Sequence, residues 1–106
     1  MKIQFEKFKK NLRDKNFYDA HEDLEELWFP KRFEKTNEVL FLKGLINSAV
    51  CFELFKQNKI PQANKVWKNY LKYKDLINHL EEHFYYNEFC ELKNEVEKIF
   101  KNKLYN

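Results

Sequence analysis

The stretch Val39 to Phe55, VLFLKGLINSAVCFELF, is apolar around nearly its whole circumference when wound as a helix. A one-sided helix can lie on a surface, but one of this kind must be covered by neighbours on every side. The rest of the chain therefore has to supply covering elements. It does so with segments whose apolar residues recur every three and four positions, the spacing of an amphipathic helix. One Gly and two Pro among 106 residues exclude the turn-rich alternation of a β-sandwich. The expected fold is all-α: a single domain over residues 1–106, a compact bundle of five helices built from antiparallel hairpins.

The first helix is expected from about Ile3 to Arg13, with Phe5, Phe8 and Leu12 on one face. Asn16 breaks the pattern, as a residue that tolerates a left-handed turn. The second runs from about Tyr18 to Phe29 and stops before Pro30, since proline disfavours helix in the residue preceding it. Lys31 to Lys35 is a charged connection. The third starts at Thr36 or Asn37, with Thr36 as its N-cap, and carries Gly44 where another backbone can come close. Trp28 and Gly44 are expected to pack, a large ring on one helix against a small residue on the next. Pro61 opens the fourth, whose inward face is Ala63, Val66, Trp67, Tyr70, Ile77 and Leu80. Tyr85–Tyr86–Asn87 reads as a turn, and a fifth helix follows through Phe89, Leu92, Val96, Ile99 and Phe100. A faint repeat aligns NFYDAHEDLEELW with KIPQANKVWKNYL, placing Ala20 on Ala63, Leu24 on Trp67 and Leu27 on Tyr70. The pattern is that of tetratricopeptide-like hairpins, with fewer copies than a solenoid needs.

The net charge of +3 points to no polyanion, but its distribution is patterned. Residues 1–15 are basic, 19–26 acidic, 59–75 basic and 81–97 acidic. Such blocks suit helices that pack with opposite fields facing each other. Cys51 and Cys90 form no metal or redox spacing, so free thiols are expected. The start MKIQFEKFKK lacks the apolar core of a signal peptide, and no apolar run nears the roughly 18 residues needed to span a bilayer. A cytoplasmic protein without a membrane partner is the expectation.

The second helix carries the strongest chemical signal. Ala20, Leu24, Leu27 and Trp28 form one apolar arc, with His21 and Glu25 at its edge. Glu22 and Glu26 point toward solvent. His21 and Glu25 are four apart, so their side chains can touch. A carboxylate on an imidazole fixes its orientation and raises its basicity, as a general base or a ligand-contacting group requires. The plainer alternative is a boundary histidine satisfied by its own helix.

Two other constellations stand out. His79-Leu-Glu-Glu-His83 reproduces a zinc-protease pattern, but two His need further ligands to hold a metal. Both are expected to be exposed, facing away from Ile77 and Leu80. Lys65, Lys68 and Lys72 form an outward stripe with Trp67, Tyr70 and Tyr73 interleaved, which resembles a stacking surface for nucleic acid. The aromatics fall mainly on the inward face, however. Arg13 and Arg32 are the only arginines among 20 basic residues, which disfavours bidentate phosphate recognition.

FYDAHEDLEELW, followed by FLKGLINSAVCFELFKQNKIPQA, resembles domain of unknown function family 309, small helical proteins of bacteria and archaea, over about residues 16–70. The family's acid-Ala-His-Glu run and Leu-Glu-Glu-Leu-Trp fall on His21, Glu22, Glu25, Glu26 and Trp28. Its central-helix motif falls on Gly44 and Asn47. This chain departs at Asn16, where the family often has Gly, and at Lys43 and Asn47, where it has Gln. The resemblance implies a helical fold and a site, with no reaction attached. Together these readings predict a small-ligand pocket between the second and third helices. His21 would transfer a proton or contact the ligand, Glu25 would orient it, and Trp28, Lys43, Asn47 and Glu22 would complete the lining. The alternative is a protein-interaction module without chemistry, with a second copy of the chain among its expected partners. No cofactor is identifiable.

Overall fold

The computed structural model describes residues 1–105, with side chains through Asn102. Its helices are α1 (Lys2–Arg13), α2 (Phe17–Trp28), α3 (Asn37–Lys56), α4 (Ile60–Tyr73) and α5 (Tyr86–Tyr105). Short 3-10 turns cover Phe29–Lys31 and Lys74–His79. There is no strand among the described residues, and no helix there is long and apolar enough to cross a membrane.

α3 is the central element. Val39, Phe41, Leu42, Leu45, Ala49, Cys51 and Phe52 are buried, on faces that together encircle it. α2 and α4 flank it in antiparallel hairpins, while α5 packs on α3 and α1 packs on α2 and α5. Phe5, Phe8 and Leu12 of α1 join Phe89, Leu92 and Val96 of α5 in the same core, with Phe5 edge-on to Phe89 at 5.4 Å between centroids. The charge blocks meet as expected. Lys9 reaches Glu91 at 2.9 Å and Arg13 reaches Glu95 at 2.6 Å, so basic α1 faces acidic α5.

The repeat is half kept. Ala20 and Ala63 are both sealed against α3, and so are Leu24 and Trp67. Leu27 is only half-buried, whereas Tyr70 is fully buried and donates its hydroxyl to Glu97 Oε2 at 2.6 Å. α5 covers α4 there.

Local chemistry sets the helix ends, with some departures from expectation. Thr36 caps α3 by accepting from the Val39 N–H at 3.3 Å. The left-handed residue after α1 is Lys15, at φ 61°, and not Asn16. There the Asn16 N–H closes onto the Asn11 carbonyl at 2.8 Å, a helix-terminating bond that places the positive φ one residue earlier. Asn58 plays the same part after α3. α4 ends at Tyr73 and not near Leu80. A 3-10 turn takes over because its three-residue repeat stacks Ile77 under Leu80, both buried, with the Leu80 N–H on the Ile77 carbonyl. α5 begins inside the expected turn, at Tyr86.

Gly44 is the close-approach position. A Cβ there would lie 3.0 Å from Tyr73 Cβ and 3.8 Å from the Tyr70 carbonyl oxygen. The neighbour it admits is therefore α4, and not Trp28 as the sequence suggests.

Candidate functional site

α2 presents two parallel i,i+4 pairs on its exposed side. His21 Nε2 meets Glu25 Oε2 at 2.6 Å. One turn earlier, the Tyr18 hydroxyl faces Glu22, whose carboxylate, with its neighbours Glu25 and Asp19, raises the phenol above its ordinary value. The Tyr18 ring lies 5.7 Å from the His21 ring, tilted by 44°. The pairing follows from helix geometry, since residues four apart stack one above the other. α2 is held on α1 by Asn11, whose Nδ2 donates to Asp23 at 2.7 Å. Burial raises the Asp23 carboxyl, and the Asn11 bond partly offsets this.

His21 sits at the seam the sequence predicts, with its side chain 23% exposed. Its two nitrogens have different fates. Nε2 is satisfied by the Glu25 carboxylate and so carries the proton in the neutral ring. Nδ1 is buried and has no hydrogen-bond partner. An orphaned buried acceptor of this kind costs about 1–3 kcal/mol. Trp28, two turns further on, repeats the situation: its indole Nε1 is buried without a partner.

The imidazole separates two hollows. On the outer side an open groove of about 550 Å³ is lined by Tyr18, His21, Glu22, Asp23, Glu25, Glu26 and Phe29. Its four carboxylates make it strongly acidic. On the inner side, against α3, a narrower cleft of about 180 Å³ is lined by Phe17, Tyr18, His21, Val50, Glu53 and Leu54. Phe17, Val50 and Leu54 give it an apolar wall. A cavity of about 150 Å³ accepts one benzene ring.

Lys43 and Asn47 turn to the other flank of α3. The Lys43 ammonium lies 5.8 Å from the Tyr73 ring centroid. Asn47 donates to the Lys43 carbonyl at 2.8 Å and accepts from Asn69 at 3.3 Å. They thus engage their own helix and α4, while Val50, Glu53 and Leu54 are the α3 residues that face His21. Sequence reasoning missed these three.

His79 and His83 do not form a helical pair, because the segment between them is a loop. His79 is exposed. His83, expected to be exposed, is half-buried: its Nδ1 accepts from the Tyr85 N–H at 3.0 Å, and its Nε2 lies 3.4 Å from Glu38. It pins the loop before α5 to the start of α3. No group of three His, Cys, Asp or Glu among the described residues is placed to hold a metal. Cys51 and Cys90 form no disulfide.

Fold and site together define a small all-helical hairpin protein with a carboxylate-held histidine on its second helix. The model of the family named domain of unknown function (DUF309) matches residues 5–66, more than half the chain, and the chain belongs to that family. No curated protein and no solved structure gave a match.

Proposed function

We propose that the protein binds small organic cations, primary amines with a compact apolar body, at the His21–Glu25 pair. The observation that carries this reading is the buried, unpartnered Nδ1 of His21 beside an apolar cleft of ring size. With Nε2–H held by Glu25, Nδ1 is an acceptor that lacks a donor, and an ammonium N–H supplies one. Phe17, Val50 and Leu54 take the apolar body. Glu53 on the cleft wall and Glu22 and Glu25 outside it provide the negative field that favours a cation over a carboxylate. Tyr18, 61% exposed, is the side chain that moves aside to admit the ligand. Trp28 extends the same face with a donor of its own. Lys43 and Asn47, engaged with α4, lie outside the pocket.

Calorimetry with benzylammonium chloride tests the proposal. Saturable binding is expected, weakened at least about tenfold, or 1.4 kcal/mol, by His21→Ala. Benzoate should not bind. No heat with benzylammonium, or equal affinity for the His21→Ala protein, would refute it.

The alternative, an interaction module, is favoured by the open acidic groove that ends at the exposed Phe29. A shallow groove with four carboxylates suits Lys and Arg side chains of a basic helix. Under that reading a Lys-rich amphipathic peptide binds and benzylammonium does not.

A further inference from the structure

The two most exposed aromatic rings of the described residues lie at one end of the bundle. Phe33 is 84% exposed and Phe84 is 86% exposed, with Phe29 nearby at 51%. Phe29 and Phe33 lie on the α2–α3 connection, and Phe84 lies on the loop before α5. These two loops are neighbours: His83 reaches Glu38, in the first turn of α3, at 3.4 Å. The other exposed apolar side chains, such as Ile3, Ile60 and Leu71, are scattered, which is ordinary for a surface.

Both loops are held in shape. The Arg32 guanidinium lies 3.7 Å from the Phe29 ring centroid and 4.5 Å from that of Phe33, while donating to the Phe29 carbonyl at 2.7 Å. Phe84 stands edge-on to Tyr85 at 4.9 Å, on a loop braced by His83. A solvent-facing ring fixed in this way has already lost much of its conformational freedom, as an interface anchor requires.

The charges of the two loops are opposite. Residues 29–36 carry Lys31, Arg32 and Lys35 against Glu34, and residues 80–85 carry Glu81 and Glu82. Lys31, Lys35, Glu81 and Glu82 are exposed, and none makes an ion pair among the described residues. A surface with unpaired cations on one side, unpaired acids on the other and aromatic rings between them is complementary to itself under a two-fold rotation. We infer that two copies of the chain associate through this end, the basic loop of each against the acidic loop of the other, with Phe33 and Phe84 at the centre.

A charge-swap experiment on the full chain tests this by sedimentation velocity. The wild type is expected to dimerise reversibly, and F33S/F84S to weaken the dimer more than tenfold. K31E/K35E and E81K/E82K should each be monomeric alone, because every loop pair then repels. Mixed in equal amounts, they should form a heterodimer, since both of its loop pairs are attractive. Arg32 is left in place, so the stacked tip survives, and urea unfolding verifies that each variant is folded. A wild type that stays monomeric at millimolar concentration would overturn the inference. So would variants that self-associate as the wild type does, or a mixture that stays monomeric. Binding of benzylammonium at His21 is unaffected by any of these outcomes.

Discussion

Gly44→Ala sets two known effects against each other at the most extensive helix pair of the bundle. In a helix interior, alanine is favoured over glycine by about 1 kcal/mol. The new methyl carbon, however, would stand 3.0 Å from Tyr73 Cβ, where carbon atoms prefer about 3.5–4.0 Å. Tyr73 Cβ is fixed to its own backbone, so no change of rotamer moves it away. α4 must retreat from α3 by a few tenths of an ångström, against the close packing of Trp67, Tyr70 and Phe52. Overpacking of this kind costs about 1–3 kcal/mol. The clash therefore wins, and we expect a net loss of about 1 kcal/mol, or roughly 4–8 °C in Tm. Urea unfolding followed by far-UV circular dichroism measures it as a lower midpoint at unchanged slope. The double variant Gly44→Ala/Tyr73→Gly removes the opposing Cβ, and its coupling energy should be favourable by about 1–2 kcal/mol. A Gly44→Ala protein more stable than wild type would show that α4 yields freely and that close approach is not what holds the pair.

Further predictions concern single groups. Tyr70→Phe removes the bond to Glu97 and should cost about 1–2 kcal/mol, discounted because Glu97 keeps Lys93 and some solvent. Burial works against ionisation of Glu97, but the bonds from Tyr70 and Lys93 outweigh it and hold the carboxyl below its usual value of 4.5. That contribution is present above pH 4.5 and is lost as pH falls through the lower folded value. The gap between wild type and Tyr70→Phe should therefore narrow in acid unfolding curves. Burial and the Glu97 bond push the Tyr70 phenol far up, so above pH 10 only the unfolded chain ionises it. Wild-type stability should fall there, and Tyr70→Phe should lose that part of the slope. Lys15→Gly relieves a left-handed lysine and should raise stability by about 0.5–1 kcal/mol by thermal melting. His21→Leu removes an orphaned nitrogen and a surface pair worth only about 0.3–0.5 kcal/mol, so stability should hold or rise. A loss above about 1 kcal/mol would make the ring structural.

Much of this was legible in the residues. An apolar surface that encircles α3 requires cover on all sides, and the three-and-four spacing of its neighbours makes that cover helical. The His21–Glu25 contact follows from spacing alone, because within one helix the backbone fixes which side chains meet. A helical wheel does not say which neighbour covers a given face. That is why the wheel points Lys43 and Asn47 toward α2, while the structure sets them beside Tyr73 and Asn69 of α4. The wheel also fails where the chain leaves the α-helix. An extended α4 would point His83 outward, but the 3-10 turn after Tyr73 redirects the chain and brings the ring to Glu38. An unpartnered Nδ1 depends on every atom around it and has no signature in the sequence.

The proposed binding role depends on the state of one imidazole. Long-range ¹H–¹⁵N NMR of His21 at neutral pH, with and without benzylammonium, reads both ring nitrogens directly. The free protein should show Nε2 protonated and Nδ1 bare, with Nδ1 moving saturably toward the hydrogen-bonded range as the amine is added. The opposite tautomer, or an Nδ1 resonance indifferent to the amine, would contradict it.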